Sequence, residues 1–303
     1  MPSAARSIRA NGIDLTFDTF GDRAHPPVLL IMGLGVQMIG WDDAFCAELA
    51  GRGRWVVRFD NRDVGLSTKF NEAGVPDIGQ LLHAALLGQP VTVPYRLTDM
   101  AADAIGLLDA LAIDAAHVVG VSMGGAIAQT MAIEHPQRLR TLTSIMATSG
   151  HPALPPPTPE AMQALLTPTP LDYPGYLARY LKTWNLLRAG SFPLDEARDE
   201  ERAKAAFDRG LNPPGVARQL AAIIASGSRR AALAGVRTPT LVIHGDADPL
   251  VPLAHGQDVA AAVPGARIDI VPGMGHALPI SLWPRLIDAI AAHTAHTAKP
   301  QIS

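Results

Sequence analysis

Cysteine is nearly absent from this chain of 303 residues: Cys46 is its one instance. A single thiol excludes an intrachain disulfide and a thiol-rich metal site, and Cys46 reads as a small buried hydrophobe. Charge of one sign is also lacking. The 25 Lys and Arg against 28 Asp and Glu leave a formal net charge of -3. That balance gives no reason to expect a nucleic acid or an anionic membrane as partner. No apolar run approaches the roughly 18 residues of a membrane span, so stable membrane insertion is not expected. The opening M-P-S-A-A-R-S-I-R-A holds no apolar core of signal-peptide length, which makes the cytoplasm the default location. What is present is a chain 48% hydrophobic and 17% charged. Its length suffices for one large core, or for a core plus an insertion.

Its pattern is that of strands alternating with helices. Residues 7–20 read as a hairpin, because two alternating runs flank Asn11-Gly12, a dipeptide that tolerates the positive φ of a type I′ turn. Unbroken apolar runs follow at 28–32, 55–59, 117–121, 141–145, 240–243 and 267–271. Runs of that kind suit strands buried on both faces of a parallel sheet. Helical periodicity falls between them at 42–50, 98–111 with Thr98 as N-cap, 126–134, 253–263 and 282–293. The expected fold class is α/β, a mostly parallel doubly wound sheet. The alternation stops between about 148 and 236. There H-P-A-L-P-P-P-T-P introduces three or four helical stretches, at 174–187, 195–209, 216–228 and 229–234. The expected organisation is therefore a core of 1–147 and 237–303 and a helical cap of 148–236. A shorter apolar run with two prolines, 81–94, is expected to pack on the core or to line the entrance beneath the cap. The polar end of the chain reads as a frayed tail.

The stretch V-V-G-V-S-M-G-G-A, residues 118–126, needs explaining. Glycine inside a helix or strand costs about 0.5–1 kcal/mol relative to alanine, and three occur here within six residues. Ser122 stands where a strand run meets a helix run. A turn that sharp strains the pivot residue and requires small residues two before and two after, which is the mechanical content of G-x-S-x-G. The helix start also supplies unpaired N–H groups that favour a developing oxyanion. Alone the motif is weak, since chance produces it in roughly one chain in ten of this length. A serine hydroxyl needs a base and a group to hold that base, in the chain order serine, acid, histidine. T-P-T-L-V-I-H-G-D-A-D-P-L-V-P leaves a buried run with Asp246 and Asp248, and I-V-P-G-M-G-H-A-L-P leaves the next with His276. All follow strand ends, where functional groups gather in an open parallel sheet. P-V-L-L-I-M-G-L-G leaves the first buried run and offers a loop at Gly33 to Gly35. The backbone N–H of Leu34 is a second oxyanion donor to set beside that of Met123; each such donor is worth roughly 3–4 kcal/mol.

On M-G-L-G, R-F-D-N-R-D-V-G-L-S, G-V-S-M-G-G, G-D-A-D-P-L-V-P and G-M-G-H-A-L-P, the chain resembles α/β-hydrolase-fold serine esterases nearly end to end. It is most similar to the aclacinomycin methylesterase group and to related bacterial hydrolases labelled lipase or esterase. The resemblance implies a cap over the site, no cofactor, and hydrolysis of a carboxylic ester, a small-molecule substrate. Carried over, Ser122 is the nucleophile, Asp248 the acid and His276 the base. Many relatives have histidine before the oxyanion glycine where this chain has Met32, a change in the pocket wall. Gly33, and Trp184 and Leu187 on a cap helix, are expected to touch substrate. The same triad would serve a lactonase or a carbon–carbon bond hydrolase, and a non-catalytic receptor of the same fold is a further alternative. Arg62 and Asp63 are expected to form a loop-locking ion pair, Asp60 to be structural, and His244 to be a satisfied core histidine. His293 and His296 lack a further ligand nearby, so no metal is expected.

Overall fold

Asn11 and Gly12 have φ of 46° and 75°, the pair of positive values a tight hairpin turn demands. In this computed structural model, which describes residues 3–295, they join β1 (Arg6–Ala10) to β2 (Ile13–Phe20) with Ala10 opposite Ile13. Among the described residues one sheet of eight strands follows, completed by β3 (Pro27–Ile31), β4 (Trp55–Phe59), β5 (Ala116–Val121), β6 (Leu139–Ile145), β7 (Thr240–Gly245) and β8 (Arg267–Val271). The order is β1-β2-β4-β3-β5-β6-β7-β8. β2 runs antiparallel to both neighbours, and every other pairing is parallel.

The helices are α1 (Asp43–Gly51), α2 (Ile78–Leu86), α3 (Leu97–Ala110), α4 (Met123–Glu134), α5 (Pro159–Leu166), α6 (Tyr173–Leu187), α7 (Glu196–Asp208), α8 (Pro213–Ser226), α9 (Arg230–Leu233), α10 (Leu253–Ala262) and α11 (Trp283–Ala295). Side chains alternate across a strand, so each central strand feeds two cores. Leu29, Ile31, Val57 and Val118 pack with α3 and α4 on one face. Val28, Leu30, Val56 and Val119 pack with α1 and α11 on the other. This is why those strands read as unbroken apolar runs. Cys46 lies in the second core, fully buried, and burial pushes its thiol well above the usual range.

The run 267–271, expected as a strand buried on both faces, forms the edge strand β8, of which Val271 alone is buried, and four further expectations of the fold change. The helix expected to start at Thr98 starts one residue earlier: Arg96 is its N-cap, its N–H donating to Asp99 at 2.7 Å, while the Leu97 N–H donates to Ser226 at 3.0 Å. Five helices, not three or four, lie between β6 and β7. The additional one is α5, opened by Thr158, whose hydroxyl accepts from the Ala161 N–H at 3.2 Å, with Pro159 at the first position. Threonine followed by proline was its legible start signal. Residues 81–94 do not join the core. They contain most of α2, no residue of which is buried, and Leu86 is 85% exposed; the helix leans on α8. The fourth is His244, whose Nε2–H donates to the Val251 carbonyl at 2.7 Å but whose Nδ1 is buried without a partner. His296 lies outside the described residues, whereas His293 is buried with Nε2 at 3.2 Å from the carbonyls of Leu142 and Pro239.

Candidate active site

Ser122 sits between β5 and α4 with φ 53° and ψ -121°, a conformation L-residues adopt at a cost of roughly 1–3 kcal/mol. The surrounding glycines are explained by close approach. A Cβ on Gly120 would stand 2.1 Å from the Gly124 carbonyl oxygen, and one on Gly124 would stand 2.2 Å from the Ile31 carbonyl oxygen. On Gly125 it would meet the Ala147 Cβ at 2.5 Å. The turn thus draws β5, β3 and α4 together at distances only glycine permits. A Cβ on Gly33 would lie 3.2 Å from the Ser122 Cβ, so the loop after β3 runs directly beside the serine.

The loops after β7 and β8 meet at the same point. His276 Nε2 lies 3.0 Å from Ser122 Oγ, and its Nδ1 lies 2.7 Å from Asp248 Oδ2. An ionised carboxylate only accepts, so Nδ1 carries the proton and Nε2 is left as acceptor for the serine hydroxyl. Asp248 Oδ1 accepts from the N–H groups of Leu250 at 2.9 Å and Val251 at 2.8 Å. Both His276 and Asp248 are buried. Asp246 has a different position: its Oδ1 accepts from the Gly273 N–H at 2.6 Å and holds the loop that carries His276. The His276 N–H itself donates to the Leu187 carbonyl at 2.7 Å, at the end of α6. A Cβ on Gly275 would stand 2.2 Å from that carbonyl oxygen. The loop of the histidine is therefore pressed against the insertion.

Leu34 and Met123 both line the space in front of Ser122. Met123 is the first residue of α4, where N–H groups have no acceptor within the helix. Gly33 accepts from the Val36 N–H at 3.3 Å. Gly35, at φ 67°, donates its N–H to Gln219 Oε1 at 2.8 Å.

The expected pair between Arg62 and Asp63 does not form. Arg62 makes a two-pronged pair with Asp103 at 2.5 and 2.7 Å. Asp63 makes one with Arg218 of α8 at 2.8 and 2.7 Å, and accepts from the Tyr95 hydroxyl at 2.7 Å. Burial pushes the Asp63 carboxyl up, but hydrogen bonds from Arg218, the Phe70 N–H and Tyr95 outweigh it and hold the carboxyl below its ordinary value. Neighbours in sequence at a strand end project apart, so each ion found its partner on a separate helix. Asp60 accepts from the N–H groups of Met38 at 2.7 Å and Leu66 at 2.9 Å and from Arg209. The Arg209 bond, and the two-pronged pair of Arg198 with Asp42, tie the helices between β6 and β7 to the loops of the sheet.

Between them lies a cavity of about 920 Å³, mostly apolar, with Ser122 and His276 in its wall. Gly33, Trp184 and Leu187 line it, as does Met32. Along α6, Tyr176, Tyr180 and Trp184 form a ladder with ring centres 5.8 and 5.9 Å apart. Among the described residues no cluster of three His, Cys, Asp or Glu is placed to hold a metal ion, and no helix is long and apolar enough to cross a membrane.

A mostly parallel sheet with a strained serine on a strand-to-helix turn, facing a histidine and an aspartate, defines the α/β hydrolases. The chain belongs to the α/β hydrolase fold family, whose model matches residues 26–281. It is 34% identical to the rhodomycin D methylesterase DauP of Streptomyces sp. (strain C5), covering 95% of this chain and 97% of that one. It is 33% identical to the rhodomycin D methylesterase DnrP of Streptomyces peucetius, with the same coverage. Among solved structures, a hydrolase from Pseudomonas aeruginosa PA01 superposes with a TM-score of 0.71 at 26% identity, over 96% of this chain and 98% of that one.

Proposed function

We propose that this chain is a serine carboxylic ester hydrolase with Ser122 as nucleophile, His276 as general base and Asp248 as the acid that orients it. The reading rests on one observation above all: the hydrogen-bonded line from Ser122 Oγ through His276 to Asp248, at 3.0 and 2.7 Å, at the wall of a large cavity. His276 Nε2 takes the hydroxyl proton as Oγ attacks the ester carbonyl. The imidazolium that forms is stabilised by Asp248, and the tetrahedral oxyanion is held by the N–H groups of Leu34 and Met123. The alcohol leaves with the proton from His276. Water then attacks the acyl-enzyme by the same relay and releases the acid.

Residues 148–236 are, in this reading, a cap over a core of 1–147 and 237–303. The relatives named above are methylesterases of rhodomycin D. We extend their class to this chain as hydrolysis of a methyl ester of a bulky, largely apolar acid. A cavity of about 920 Å³ is at the upper end of what small-molecule sites offer, far more than a methyl group needs. The bulk of the substrate therefore lies on the acyl side, against Trp184 and Leu187. A cytoplasmic location is part of the same reading, since a single buried thiol suits a reducing compartment. The test is turnover of p-nitrophenyl acetate and labelling by a fluorophosphonate. Wild type should do both and Ser122→Ala neither; labelling or full turnover retained in Ser122→Ala would remove the nucleophile from this scheme.

A further inference from the structure

Gln219 lies on α8, fully buried, 184 residues along the chain from the loop that it touches. Its Oε1 accepts from the Gly35 N–H at 2.8 Å and its Nε2 donates to the Arg62 carbonyl at 2.7 Å. Both partners are backbone groups with one possible role each, so the amide orientation is settled. Its neighbour Arg218 pairs with the Asp63 carboxylate, and Asn212 donates to the Asp63 carbonyl at 2.9 Å. Consecutive residues of α8 thus grip consecutive residues of the loop after β4, while Gln219 also hydrogen-bonds to the loop after β3.

We propose that Gln219 is a positioning residue that sets the oxyanion loop, by fixing the peptide between Leu34 and Gly35. The inference rests on the esterase reading, in which the Leu34 N–H binds the oxyanion. In a trans peptide the C=O and the N–H point in opposite directions. The Gly33 carbonyl is turned toward the Val36 N–H, so the Leu34 N–H of that same peptide points the other way. The next peptide is held through its Gly35 N–H by Gln219. Gly35 has no Cβ to restrict it and sits at φ 67°, so without that bond the turn from Gly33 to Val36, closed by its own 3.3 Å hydrogen bond, loses its polar anchor to α8 and can shift as a unit, taking the Leu34 N–H with it. The opposite wall is close: a Cβ on Gly35 would stand 2.8 Å from Val216, so bulk at that position cannot substitute for the hydrogen bond. Gln219 does not reach the substrate and acts through the loop. The insertion consequently contributes to catalysis on esters too small to touch its walls.

The test compares wild type with Gln219→Met, a side chain of similar size without the amide, on p-nitrophenyl acetate, with melting followed in parallel. We expect kcat to fall about ten- to a hundredfold, since misplacing or losing one oxyanion donor costs about 10²-fold or more, while KM changes little. The affinity of a trifluoromethyl ketone, whose adduct with Ser122 places an oxyanion in the same hole, should weaken by the same factor as kcat/KM. A merely structural role would lower the melting temperature without this split. If Gln219→Met does not fold, Gln219→Asn, which keeps the amide on a side chain too short to span both partners, is measured in its place. A folded variant with unchanged kcat, or with kcat reduced and ketone affinity unchanged, overturns the proposal. Should Ser122→Ala turn over the ester as fast as wild type, the esterase reading itself fails; should it be inactive while the Gln219 variants are normal, only this inference does.

Discussion

Replacing Asp248 by asparagine tests the acid assignment through proton placement alone. Asp248 Oδ1 accepts two backbone N–H groups, from Leu250 and Val251, and Oδ2 faces His276 Nδ1 at 2.7 Å. In Asp248→Asn the side chain has one oxygen and one NH₂ group. The two backbone donors hold the oxygen on their side, because the reverse orientation would leave each without an acceptor, at about 1–3 kcal/mol apiece. The NH₂ group therefore points at His276. Nδ1 has to accept from it, so the imidazole proton moves to Nε2, the nitrogen 3.0 Å from Ser122 Oγ. A protonated Nε2 cannot take the serine proton. The expected loss in kcat is up to about 10⁴, which is about 5.4 kcal/mol at 1.36 kcal/mol per tenfold, with little change in the fold. Asp246→Asn is the control. Asp246 holds the Gly273 N–H and not the imidazole, so its loss should stay within about tenfold, the scale of one hydrogen bond. The assay is kcat/KM on p-nitrophenyl acetate with thermal melting alongside. A folded Asp248→Asn protein that keeps more than about a tenth of wild-type activity would refute the reasoning, as would a larger loss in Asp246→Asn.

Three further outcomes follow from contacts described above. Arg218→Met leaves the Asp63 carboxylate buried without its guanidinium, and should lower unfolding free energy by about 3–5 kcal/mol; a denaturation midpoint equal to wild type would contradict this. Trp184→Ala should lower kcat/KM for bulky acyl esters far more than for acetate, because remote contacts supply binding energy only to substrates that reach them; equal losses would make α6 a structural support. Burial, reinforced by Arg140 and Arg54, pulls the His117 imidazole down to about 3 from an ordinary 6.5. Between those values the unfolded chain takes a proton that the folded one refuses, so stability present above pH 6.5 is lost on acidification, by up to about 1.4 kcal/mol per pH unit. Urea titrations from pH 7 to pH 4 should show a shallower loss in His117→Gln, and parallel curves would exclude His117 as a source of the slope.

The features legible in the chain were those whose physical cause is local. Asn11-Gly12 announces a hairpin because the cost of positive φ is settled within the dipeptide. The motif around Ser122 announces a sharp turn because Gly120 closes on Gly124 only four positions away, whereas the approaches of Gly124 to Ile31 and of Gly125 to Ala147 are made by the fold. Unbroken apolar runs announce a covered sheet because both faces of each strand are decided by its own side chains. The partners of buried charges were not legible. Nothing in R-D states that Arg62 turns to Asp103 and Asp63 to Arg218, 155 residues away, because such a choice is made by the space between elements. The same holds for Asp246 and Asp248, equal as residues and separated only by which of them reaches the imidazole. It holds for α2, apolar yet unburied because the helix it meets is α8 and not the sheet. And it holds for Gln219, an ordinary residue on an ordinary helix until the tertiary fold lays it against the Gly35 N–H. Backbone conformation is charged to each residue where it stands, whereas a buried polar group is satisfied only by whatever the completed fold places within 3 Å of it.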